Sequence, residues 1–202
     1  IISGTEGGED PFVRIAEGLV TTAIGALKLG GTKPTIQNIY YAIRSKQDLF
    51  VTTRNALRGF YTYHLGADWH LTVQVSPNLT FADEIEKLKE YFHCNYFEDN
   101  SPKNMHGMDT VLECFKYISG DESHYYKITA SLMPMLKRLS QTPMDILLSA
   151  NDVENPERNI VNSHGLFNSG GVLYISLDGL SDPATARDLS QLITSDIAAE
   201  AG

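Results

Sequence analysis

Apolar residues recur at helical spacing through most of this chain. In PFVRIAEGLVTTAIGALKL they fall at Phe12, Ile15, Ala16, Leu19, Ala23, Ala26 and Leu27, which predicts one long amphipathic helix. Asp10 before Pro11 suits an N-cap followed by a first-turn proline, and Gly30 and Gly31 stop the helix. Thr35 opens a short helix, TIQNIYYAIR. Ser45 caps the next, SKQDLFVTTRNALRGFYTYH, with Gln47 and Asp48 near its positive end. LGADWHLTVQVSPNLT breaks the pattern and reads as a loop with a short extended piece at Leu71 to Val75. From Thr80, FADEIEKLKEYFHCNYF carries one apolar stripe at Phe81, Ile85, Leu88 and Phe92. A further helix runs from Asn104 to Ile118 and ends at Gly120. Asp121 caps DESHYYKITASLMPMLKRLSQ, which Pro134 must kink or divide, and PMDILLSA is a short helix after Thr142.

The last fifty residues read differently. NDVENPERNIVNSHGLFNSGG is loop-rich, with turn signals at Asn155-Pro156 and Asn168-Ser169-Gly170-Gly171, and Ile160 and Val161 lead into either a short helix or an extended segment. VLYISL is almost wholly apolar and partly β-branched, without alternation, as in a strand buried on both faces of a parallel sheet. Ser181-Asp182-Pro183 then caps a closing helix with Ala186, Leu189, Leu192, Ile193, Ile197 and Ala198 on its apolar face. The expected architecture is mainly α: a flexible lead-in at 1–10, an all-helical block of about seven helices at 11–150, and a connection with one C-terminal βα unit at 151–202. A lone strand leaves its backbone groups unpaired, so this unit should belong to a larger α/β sheet supplied by residues not present here.

Composition narrows the function classes. The 202 residues carry a formal charge of −9, which argues against a chain that is basic overall and binds nucleic acid with its whole surface. The charge is uneven. Lys28, Lys33, Arg44, Lys46, Arg54 and Arg58 face the single acid Asp48 across that stretch, and form the candidate nucleic-acid-binding set; FADEIEKLKEYFHCNYFEDN is plainly acidic. Both stretches also fit ordinary solvated helix faces. No run of about 18 apolar residues suggests a membrane span. IISGTEGGEDPF has neither the basic start nor the apolar core of a signal peptide, and with no initiator Met it reads as part of a longer protein. Cys94 and Cys114 are too few and too far apart for a disulfide scaffold, which suits a reducing cytoplasm.

Catalytic motifs are weak. TEGGED lacks the lysine of a phosphate-binding loop, GGTK at Gly30 to Lys33 is a helix stop, and GLFNSGG is a turn into a strand. His93-Cys94, His106 and Cys114 match no metal-ligand spacing and read as buried helix residues. Ser163-His164 falls in the loop and defines no triad. Asp178, at the strand's C-terminal end, is either a turn residue or a functional group of the kind α/β enzymes place there. Tyr40-Tyr41 and FYTYH are more in keeping with core packing than with base stacking.

Two resemblances follow from these segments. IYYAIRSKQDLF, Ile39 to Phe50, resembles the junction after the recognition helix of TetR-family repressors, although that family's preceding helix is missing and VLYISLDG has no place in an all-helical fold. DPFVRIAEGLVTTAIGALKLGGTKPTIQNIYYAIRSKQDLF, together with NPERNIVNSHGLFNSGGVLYISLDGLSDPATARDLSQLITSDIAAEAG, resembles the central region of conjugative coupling proteins of the TraD/VirD4 type. That resemblance covers most of the chain, most closely Asp10 to Phe50 and Gly170 to Gly202. It implies an all-helical domain inserted into a RecA-like motor domain, with VLYISLDGLSD as the strand that re-enters the motor. It further implies a hexameric, DNA-translocating ATPase at the cytoplasmic face of the bacterial inner membrane, joined to a type IV secretion channel. The expected partners are a relaxase, a relaxosome accessory protein or the DNA they carry. ATP and Mg would be bound by residues outside this segment, which would itself have no cofactor, no catalytic residue, no ATPase activity and no membrane contact.

Overall fold

The computed structural model describes residues 11–76, 78–99, 101–142, 144–148, 163–170, 172–177, 179 and 182–201. The expected lead-in at 1–10, the Asp10 cap, the turn at Asn155-Pro156, Ile160 and Val161, and Asp178 lie outside the described residues.

Local capping chemistry sets the helix starts. Helix α1 spans Pro11–Leu29 and buries Ala16, Leu19, Ala23 and Ala26. It closes with Gly30 and Thr32 amides donating back to the carbonyls of Ala26 and Leu27. Helix α2, Ile36–Ile43, starts where the Thr35 hydroxyl accepts from the Asn38 amide. Helix α3, Lys46–Leu65, starts where the Ser45 hydroxyl accepts from the Asp48 amide. Helix α5, Phe81–Asn95, is capped in the same way by Thr80 through the Asp83 amide, and turns Ile85, Leu88 and Phe92 inward. Helix α6 spans Met108–Ser119. Pro134 divides the next helical stretch, as expected, into α7, Glu122–Thr129, and α8, Met133–Leu139. Short α9, Met144–Leu148, follows, then α10, Ser163–Ser169, and α11, Pro183–Ala201.

Long helices α1, α3 and α6 pack on one another at the centre. Helices α2 and α7 lie against α1, α5 lies against α3, α8 and α9 cover α2, and α11 rests on α8. The core is notably aromatic. Phe60 meets Phe92 at 5.3 Å and Tyr96 at 5.0 Å, edge to face, and Phe92 meets Phe115 at 5.4 Å. Buried Tyr61 donates its hydroxyl to the Leu88 carbonyl at 2.5 Å, which satisfies the one polar atom it takes into the core.

Ahead of Val172, the structure corrects the sequence reading at four places. Leu71 to Val75 is not extended: helix α4, Trp69–Thr72, closes there, and the Val75 amide donates to the His70 carbonyl. Its position is set by Trp69 stacking on Tyr61 at 5.7 Å and by Val73, which is buried. The acidic helix stops at Asn95, and β1, Phe97–Glu98, pairs antiparallel with β2, Ser101–Pro102, around a left-handed Asp99. Helix α6 begins four residues after Asn104, because Gly107 takes φ +79° against the Leu29 side chain and is not helical. Ser163-His164 sits in the first turn of α10 and not in a loop.

The mainly helical architecture is as expected. Val172–Leu177, by contrast, carries no ladder, and the sheet found among the described residues is the β1–β2 hairpin. Val172 is 95% and Tyr174 89% exposed, where a sheet-core strand would be covered. The physical reason is the missing neighbour: no described strand lies beside this stretch to accept its amides.

Candidate functional site

The six predicted cations separate into five environments. Arg44 forms a two-point pair with Asp48 within one helical turn, Nε to Oδ2 at 2.8 Å and Nη2 to Oδ1 at 3.2 Å, and lies 5.2 Å from the Tyr41 ring centre. Partial burial pushes the Asp48 carboxyl up, but hydrogen bonds from Arg44 and Ser45 outweigh it and hold the group below the usual carboxylate range. Lys46 reaches across the fold and donates its ammonium to the Gly120 carbonyl. Lys33 lies in the exposed connection between α1 and α2, where its carbonyl accepts from the Asn38 side chain at 2.8 Å.

Arg54 and Arg58, one turn apart on α3, converge on buried Glu84 of α5. Arg58 Nε donates to Glu84 Oε1 at 2.7 Å, and Arg54 Nη1 lies 3.8 Å from Oε2 while its guanidinium covers Phe81 at 4.6 Å. This carboxylate pins α5 to α3, engaging Arg54 and one edge of the Arg58 guanidinium.

One groove brings two of the six together. Lys28, in the last turn of α1, and Arg58 line a depression of about 830 Å³ between the end of α1, the middle of α3 and the start of α6. Asn55, Thr62, Tyr63, His106 and Thr110 complete its polar lining, and none of these five belongs to the predicted set. Lys28 has no carboxylate partner among the described residues. Tyr63 is 67% exposed and its ring lies 4.8 Å from that of His106. The His106 carbonyl accepts from His64 Nε2 at 2.9 Å, which fixes this corner of the groove on α3.

Gly59 makes the arrangement possible. A Cβ at this position would stand 1.8 Å from the Leu29 carbonyl oxygen, so α3 meets the end of α1 backbone to backbone. Lys28 is thereby brought beside Asn55 and Arg58. The signal in the sequence was a glycine inside a strongly helical pattern, a known mark of close approach.

A second, smaller depression of about 400 Å³ runs between α1, α6 and α7. It includes Lys116, which pairs with Glu113 at 3.2 Å, and Tyr117, whose hydroxyl donates to the Ile15 carbonyl at 3.1 Å. Arg14 and Lys116 are matched in its lining by Glu113 and Asp121, so it presents no excess of either charge.

The remaining candidates resolve into structure. The His93 ring packs 5.2 Å from Phe97 and 5.5 Å from Phe115, Cys94 is exposed, and Cys114 is fully buried. Burial pushes the Cys114 thiol up to about 12, against a weaker opposing hydrogen bond from Thr53. No cluster of three His, Cys, Asp or Glu with metal-ligand geometry occurs among the described residues. His164 pairs through Nδ1 with Glu200 at 3.1 Å and through Nε2 with Asn168 at 3.0 Å, tying α10 to α11. No described helix is long and apolar enough to cross a membrane. Comparison with known proteins found no matching family, no matching curated protein and no matching solved structure.

Proposed function

We propose that this chain is the all-helical substrate-recognition segment of a conjugative coupling protein of the TraD/VirD4 type. The observation that carries the reading is the exposure of Val172, Leu173, Tyr174 and Ile175. An apolar, β-branched stretch stands uncovered beside a helix, α11, that is docked on the helical body. Such a stretch calls for a sheet to receive it. A RecA-like motor interrupted by a helical insertion supplies one, with Val172–Leu177 as the strand on which the chain returns.

On this reading the complete protein is a hexameric, ATP-driven DNA pump at the cytoplasmic face of the bacterial inner membrane, with its ATP and Mg site formed by other residues. The helical body selects a relaxase or a relaxosome accessory protein and has no ATPase activity alone. The acidic surface, at −9 net charge, speeds encounter with basic partners. The test is capture of a purified relaxase by the immobilised chain, with and without nuclease. Capture that survives nuclease upholds the reading, and capture of DNA alone sinks it.

A TetR-like repressor is the competing reading, favoured by one observation: short α2 passes through the Ser45 cap directly into long α3, the arrangement at that family's motif. Packing weighs on the other side, since α8 and α9 both cover α2. Sequence-specific duplex binding by a dimer of the chain would favour the repressor.

A further inference from the structure

We infer that the groove between α1, α3 and α6 binds a short acidic segment of a partner polypeptide. Lys28 and Arg58 receive its carboxylates, and the Tyr63–His106 pair packs against the side chain next to them. The owner of that segment rests on the coupling-protein reading above; the chemistry of the groove does not.

Charge is the first ground. The chain holds 25 acidic residues, yet no Asp or Glu lines this groove. Lys28 is exposed and lacks a carboxylate partner among the described residues, and Arg58 is 45% exposed on its side chain. Glu84 occupies Arg58 through Nε and Nη2, which leaves the Nη1 donors for a second carboxylate. Asn55 adds an exposed amide at the same wall.

The second ground separates an acidic peptide from a nucleic acid. Affinity for a phosphate backbone grows with the number of phosphates neutralised in a row. Here the neighbouring cations are committed: Arg44 to Asp48, Lys46 to the Gly120 carbonyl, Arg54 to Glu84. Two cations in one groove suit a local pair of carboxylates and not a run of phosphates.

The third ground is openness. Lys28, Asn55, Arg58, Tyr63 and His106 are all exposed. A small molecule binds tightly by burying most of its surface, roughly 70–90% of it, whereas a peptide is held along an open face by a few anchors. Tyr63 is suited to be such an anchor, being large, rigid and exposed.

Fluorescence anisotropy on the full chain tests this with three labelled probes: a short Asp/Glu peptide around one Phe, its Lys counterpart, and an oligo-dT of similar length. The acidic peptide should bind saturably, and the other two much more weakly. Lys28→Glu should weaken it about tenfold and Tyr63→Ala by a comparable factor, with unchanged melting temperatures because both side chains are exposed. Tighter binding of oligo-dT, lost in Lys28→Glu, would make the groove a nucleic-acid site and overturn the proposal. Failure of the acidic peptide to bind, or binding indifferent to both substitutions, would overturn it equally. If the peptide binds at Lys28 while no relaxase is captured, the groove stands and the coupling-protein reading falls.

Discussion

Tyr125 of α7 donates its hydroxyl to the Ile43 carbonyl at the end of α2, at 2.7 Å, across 82 positions of sequence. The Lys46–Gly120 contact runs in parallel, so the α2–α3 junction is tied to the α6–α7 junction twice. Burial pushes the Tyr125 phenol well above its usual range, which keeps it a donor at all ordinary pH values. Tyr125→Phe leaves the ring and removes the donor, stranding the carbonyl. The expected cost is about 1–2 kcal/mol in a urea titration, with an unchanged m-value. No loss would mean that the carbonyl finds another donor.

Much of this framework was legible because it is local. Thr35, Ser45, Thr80 and Asp121 each accept from an amide two or three residues ahead, a relationship contained in a few letters of sequence. The β1–β2 hairpin was not legible, since two-residue strands are too short to alternate and the apolar stripe of α5 continues through Tyr96 and Phe97. The groove was half legible. Lys28 and Arg58 stood out as charge, but Tyr63 and His106 meet through packing of α3 against the start of α6. Proximity in sequence also overstated the basic face, because helical geometry sends Arg54 and Arg58 to Glu84 and Lys46 to Gly120.

The closeness of Gly59 to Leu29 makes a sharp steric prediction. Gly59→Ala drives a methyl into a backbone carbonyl that has no rotamer through which to yield. The expected destabilisation is about 3 kcal/mol, with α1 forced away from α3. Gly120→Ala is the control: φ is −66° and the new methyl would lie 3.6 Å from the nearest atom, the Tyr117 carbonyl oxygen. It should change stability by less than about 1 kcal/mol. Equal effects in thermal melts would refute the close-approach argument.

Asp188 of α11 is buried against Arg138 of α8, while Leu189, still 9% exposed, is the most nearly buried apolar residue of α11 among those described. The α10–α11 arm is therefore held to the body by an ion pair with modest apolar support. Asp188→Ala leaves the Arg138 charge partly buried and unpaired. Amide exchange across 163–201 should accelerate about tenfold, while α1, α3 and α6 keep their protection. Adding Arg138→Leu should recover part of the loss. Uniform acceleration over the whole chain would show that the arm does not open by itself.

The two cysteines should report folding separately. Cys94 is exposed and should react with a thiol reagent in the native chain at once. Cys114 is fully buried with its pKa pushed up to about 12, so it should react only through opening of the α1–α3–α6 core. The same burial gives a pH signature. The unfolded thiol ionises near pH 8.5, whereas the folded one holds its proton to about 12. The unfolded state therefore binds fewer protons between these values, and stability present below about pH 8.5 falls as pH rises, by up to roughly 1.4 kcal/mol per unit. Cys114→Ala creates a small cavity and lowers stability below about pH 8.5, and it should flatten the slope between about pH 8.5 and 10, before the buried tyrosines contribute, so that the two proteins converge in stability as pH rises. A slope identical in the two proteins would mean that the thiol is not protected from ionising.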